Sequence, residues 1–113
     1  MANPLKGQVD VELNGKSYKA RLTVDSIIDI EDSLNIGLLK LAQNMAGGDV
    51  RISQVVGVLL PALRGGGNDL QDKQVRILVQ NAGLVQSTKV VADLIAQSLL
   101  ASGDPDEKKS EQG

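Results

Sequence analysis

Apolar and polar residues alternate from Gly7 to Leu13, with Val9, Val11 and Leu13 on one side and Asp10 and Glu12 on the other. The alternation resumes from Lys16 to Leu22, where Tyr18, Ala20 and Leu22 share a side. A period of two is that of a half-buried strand. Between the two runs stands Asn14-Gly15, a dipeptide that tolerates the positive φ angles of a type I′ turn. The pattern therefore predicts an antiparallel hairpin of residues 7–13 and 16–22. The turn sets its register: Leu13 opposite Lys16, Val11 opposite Tyr18, Val9 opposite Ala20 and Asp10 opposite Lys19. Apolar then meets apolar and acid meets base, so turn and pattern agree. An isolated hairpin is marginal in water, so its apolar side needs another element to cover it.

After Leu22 the period changes to that of a helix. Residues 24–34 place Val24, Ile27, Ile28 and Leu34 on one predicted face, with Asp25, Asp29 and Asp32 opposite or flanking. Asn35-Ile36-Gly37 marks a break. A second helix follows with the stripe Leu38, Leu41, Ala42 and Met45, and Gly47-Gly48 ends it. Ser53 is the expected N-cap of a third helix. Its body from Gln54 to Leu63 is apolar nearly all round, which predicts burial in the core or an interface. Pro61 lacks a backbone donor and is expected to kink or shorten the last turn.

Gly65-Gly66-Gly67-Asn68 reads as a flexible connection. A fourth helix is predicted from about Asp69 or Leu70 to Ala82. Gly83 is expected in a left-handed capping conformation, with Leu84 touching Val79. A fifth helix is predicted from Val85 to Ala101, with Leu84, Val91, Ile95 and Leu99 facing the core. The order of a hairpin followed by four to five short helices predicts an α+β fold. Residues 1–102 form a single predicted domain, and residues 103–113, all small or polar, a disordered tail.

Composition narrows the chemistry. The chain has 113 residues, no Cys and no His, and Tyr18 is its one aromatic residue. Without Cys there is no disulfide or thiolate nucleophile, and without His the commonest general base and imidazole ligand are missing. The expectation is a protein that is not an enzyme and carries no cofactor or metal. A net charge of −2 offers no basic field for nucleic acid or an anionic membrane. A small DNA-binding regulator should line Lys and Arg along one recognition helix, and none of the predicted helices does so. The opening Met1-Ala2-Asn3-Pro4-Leu5-Lys6 lacks the apolar run of a signal peptide, and no stretch is long enough to span a bilayer. These features point to a soluble protein of the cytoplasm.

Few residues stand out as candidates for function. Gly65-Gly66-Gly67 is no phosphate loop, because Asn68-Asp69 follows where Gly-Lys-Ser/Thr is required. Asp25, Asp29, Glu31 and Asp32 read as a solvated acidic rim, since helical spacing explains them without a metal. Glu31 is different. It falls near the middle of the predicted apolar face, where a carboxylate needs a partner. That partner is either an Arg, such as Arg21, Arg51 or Arg64, or the backbone donors of the next helix. The functional alternative makes Glu31 a polar anchor for another protein. On the fifth helix, Val90 and Leu100 lie off the core stripe beside Lys89 and Asp93, and are expected to contribute to a client or self-association surface.

Taken in order, these segments resemble the tail-assembly chaperones of phages and gene transfer agents. The opening Met1-Ala2-Asn3-Pro4-Leu5-Lys6-Gly7 and the strand Val9-Asp10-Val11-Glu12-Leu13-Asn14-Gly15-Lys16 are similar to that family's start. Ile30-Glu31-Asp32-Ser33-Leu34 followed by Gly37-Leu38-Leu39 resembles its acidic helix before a Leu-rich segment. Leu70-Gln71-Asp72-Lys73-Gln74-Val75, then Ala82-Gly83-Leu84, resembles its later helix pair. The likeness covers about residues 4–101. Pro61 departs from it inside the third helix, and Gln71 stands where a Ser/Thr cap would be expected. The resemblance implies a protein without enzymatic activity that acts in the bacterial host cytoplasm. It would bind the tape-measure protein of a phage-like tail and keep it soluble while the tube polymerises. A different reading of the same chain is a structural component of the tail tube or neck, which would self-assemble and remain in the finished particle.

Overall fold

The computed structural model describes residues 8–103, with side-chain surroundings up to Leu99. The hairpin comes first, as β1 (Val9–Leu13) and β2 (Lys16–Ala20). Its register pairs Val9 with Ala20, Asp10 with Lys19, Val11 with Tyr18 and Leu13 with Lys16, as the turn demands. Asn14 and Gly15 take φ angles of 55° and 79°, the sign a type I′ turn needs at both positions. Val11, Leu13 and Ala20 are buried on one side. On the other, Lys19 Nζ lies 2.7 Å from Asp10 Oδ1, an exposed pair of small energetic weight. β2 stops two residues before the alternation does, because Arg21 N donates to Ala62 O at 2.8 Å and the chain turns onto a helix.

That helix is α3 (Ile52–Gly65), and it is the centre of the molecule. Val55, Val58, Leu59, Ala62 and Leu63 are fully enclosed along it. It packs against β2, α1 (Val24–Leu34), α4 (Asp72–Ala82) and α5 (Leu84–Gly103), while α2 (Leu38–Ala46) lies chiefly along α5. The N-cap of α3 is Arg51, not Ser53: Gln54 Oε1 accepts the Arg51 N–H at 2.9 Å, so the helix starts earlier. Pro61 does not end it. The helix runs on to Gly65, and Ala62 O beyond the proline accepts from Arg21 N.

The ends of α1 fall where the sequence placed them. Thr23 Oγ1 accepts from Ser26 N at 3.0 Å, and Asn35 closes the helix in the left-handed conformation. Its buried face is rotated from the expected one. Ile30 is enclosed, with Ile27 and Leu34 packed beside the core, whereas Val24 and Ile28 are 65% and 49% exposed. The rotation follows from α3. Gly57 has no side chain, so Leu34 can sit against it, with Cδ2 3.2 Å from where a Cβ would be.

The glycine run after α3 is a fitted junction and not a flexible one. A Cβ on Gly65 would overlap the Arg21 carbonyl oxygen, and one on Gly66 would overlap that of Lys19. Asn68 Nδ2 then donates to Lys19 O at 2.7 Å and Leu63 O at 3.0 Å, tying the loop to the hairpin and to α3. α4 begins at Asp72, later than expected, and Gln74 Oε1 accepts the Gln71 N–H at 2.7 Å in place of a Ser/Thr cap. Gly83 has φ 91° and ψ 152°, so it is not the left-handed cap expected, and α5 starts at the very next residue. Along α5 the enclosed residues are Ser87, Val91, Leu94, Ile95 and Ser98. Leu84, expected in that stripe, is 39% exposed. Asn14 N donates to Gln86 Oε1 at 3.1 Å and fastens the hairpin turn to this helix. Of the predicted tail, Gly103 is the last residue of α5, and 104–113 lie outside the described residues. No helix among the described residues is long and apolar enough to cross a membrane.

Candidate interaction site

Glu31 sits at the junction of α1 and α2. Its Oε2 accepts the Leu38 N–H at 2.8 Å. The N-cap of α2 is Gly37, which has no side chain to satisfy the first free N–H groups of that helix. Glu31 supplies the missing acceptor from seven residues upstream, and its negative charge lies at the positive end of the α2 dipole. Of the partners open to it from sequence, the backbone donor of the next helix is the one it touches. Asp25, Asp29 and Asp32 point to solvent around the same helix. No group of three or more His, Cys, Asp or Glu residues among the described residues could hold a metal ion.

Val90 is half-buried and packed against the core. It lines a crevice between β1 and α5 together with Val9, Val11 and Leu94. Leu100 belongs to α5, but its side chain is outside the described ones. Val90 and Glu31 lie on different elements and are not brought into one site.

The apolar surface lies elsewhere. The end of α2 and the first half of α5 enclose a groove of about 470 Å³, walled by Met45, Val50, Leu84, Val85 and Ala92, with Lys89 and Asp93 also lining it. Val85 is 86% exposed, the most open of the large apolar side chains among the described residues. Sequence reasoning set α5 on a face holding Leu84 and so missed this groove. A signal was present: Val85, Thr88, Ala92, Ala96 and Leu99 form a second apolar or small stripe at helical spacing beside the buried one.

No curated protein and no solved structure matches the chain. A protein-family model matches residues 6–101, from just before β1 nearly to the end of α5. It agrees with the sequence resemblance at the level of a phage or gene transfer agent tail protein, and does not carry the chaperone role. The chain belongs to the family described as phage tail tube protein, GTA-gp10.

Proposed function

We propose that this protein is a non-catalytic structural component of a phage-like tail, in its tube or neck, working through contacts with other tail proteins. The observation that carries this reading is the family match over residues 6–101, since that family is described as a tail tube protein. The absence of His and Cys from the sequence supports a role without acid–base or thiol chemistry.

The second reading is an assembly chaperone that binds the tape-measure protein in the host cytoplasm and leaves before the particle is complete. One observation favours it: the exposed large apolar residues Val24, Leu39, Ile52, Ile77 and Val85 are spread over all five helices. A subunit fixed in a tube should gather such residues into its contact faces, whereas a holder of an extended client can use scattered ones. Particles made by a strain lacking the gene test whether the protein serves the tail at all, and both readings expect heads without normal tails. Antibody labelling of finished particles separates them. Label along the tail or at the neck supports the structural reading, and label only in the cell extract supports the chaperone.

A further inference from the structure

We propose that copies of this chain join head to tail, the outer face of α1 in one copy packing antiparallel on the outer face of α4 in the next. This deepens the structural reading given above and rests on it.

The fold leaves both faces open. α1 turns Ile30 inward and leaves Val24, Ile28 and Asp32 exposed on its far side, in a row at intervals of four. α4 buries Val75 and Val79 and leaves Lys73, Ile77 and Asn81 exposed in a row of the same spacing. Rows of this spacing are the ridges that interlock in the commonest helix crossing. Laid antiparallel, they set Ile28 beside Ile77, Asp32 beside Lys73 and Val24 beside Asn81. Ile28 and Ile77, 49% and 47% exposed on the single chain, then cover each other.

Charge selects this occupant and this direction. Asp32 lies in the last turn of α1, at the negative end of the helix dipole, and no basic residue shares that turn. Lys73 lies in the first turn of α4, at the positive end. Each charge stands at the unfavourable end of its own helix, and neither has an ion-pair partner among the described residues. The antiparallel contact brings the end of α1 onto the start of α4, so each charge meets its opposite. A parallel contact would set Asp32 beside Asn81 and leave both charges unanswered. α1 carries Asp25 and Asp29 as well and has no Lys or Arg, so α1 against α1 would set acid against acid. The two faces belong to different helices of one molecule, and the contact is therefore heterologous. Each added copy leaves one free face at either end, and assembly continues into a ring or a filament.

Sedimentation velocity of the purified full chain tests the proposal. One helix pair makes a small interface, so the series should extend to about 1 mM. The sedimentation coefficient should rise with concentration past that of a dimer. Asp32→Lys alone and Lys73→Asp alone each set like charges together, and each should weaken the contact about tenfold. An equimolar mixture of the two restores opposite charges at every contact and should grow as the native chain does. Ile28→Asp and Ile77→Asp, both at exposed positions, should each be monomeric with an unchanged circular dichroism spectrum. Mixed in equal amounts, these two should form a dimer and stop there, because one good face remains on each. A native chain that is monomeric throughout, or that forms a dimer and grows no further, would overturn the proposal. So would growth that the charge reversals leave untouched, or a mixture of the two Asp variants that stays monomeric or grows past a dimer. All of these are read on purified protein, so their failure is distinguishable from failure of the structural reading, which antibody labelling of the tail decides.

Discussion

A carboxylate and a glycine show how single residues set this fold. Glu31 occupies a position that helical spacing marks as apolar, and it is tolerated because Leu38 N–H takes up its Oε2. It performs the work of an N-cap for a helix whose own capping residue is glycine. Glu31→Ala should therefore cost about 1 kcal/mol, the usual worth of an N-cap acceptor. Glu31→Gln keeps an acceptor and should cost only a few tenths. Denaturant unfolding of the two variants checks the difference. Gly66 is needed for a different reason. Its backbone lies so close to Lys19 that a methyl group would collide with a carbonyl oxygen which cannot move without disturbing β2. Gly66→Ala should cost about 2 kcal/mol or more. Gly47→Ala, where the nearest atoms are 3.7 Å away, should be close to neutral and serves as the control. Periodicity could not separate these two glycines, because the need at Gly66 comes from a strand more than forty residues earlier.

Elements defined by local rules were legible in the sequence. The hairpin register follows from Asn14-Gly15 and the alternation about it, and α1 fills the predicted span 24–34, ending at the predicted break at Asn35. Faces decided by packing were not. Val24 and Ile28 were assigned to the core of α1, yet the glycine at position 57 of α3 draws in Leu34 and turns Ile30 inward. The same holds for α5, where buried Ser87 replaces Leu84 at one end of the stripe. The capping of α3 and α4 was missed because Gln54 and Gln74 do it from inside the first turn. α3 also shows a proline absorbed within a helix. Its missing N–H and ring clash are offset by burial on both sides of position 61, where Leu59, Ala62 and Leu63 are enclosed. Pro61→Ala restores a donor and should raise stability by about 1 kcal/mol, or about 4 °C in melting temperature. A lower melting temperature would mean that the ring's packing outweighs the lost bond.

At the scale of the whole molecule, β2, α1, α4 and α5 pack on α3 and α2 lies along α5, while exposed apolar residues are scattered over the helices and acidic ones line α1. Leu59, enclosed at the centre, reports on that arrangement as a unit. Leu59→Ala should cost about 2–5 kcal/mol and lower all spectroscopic signals in one transition. Function is less legible than fold, because nothing in the chain has the spacing of a reacting site and recognition rests on the order of segments. The resemblance to tail-assembly chaperones led to the right kind of particle, and the family match is to a tail tube protein. Whether the protein stays in the tail is therefore the central question, and its copy number in finished particles answers it. Particles purified from the producing host can be measured by quantitative mass spectrometry against isotope-labelled peptides of this chain. A structural component should be present in a fixed ratio to the other tail proteins and should survive washing in high salt. Complete absence from intact, tailed particles, with abundant protein in the cell extract, would contradict the account.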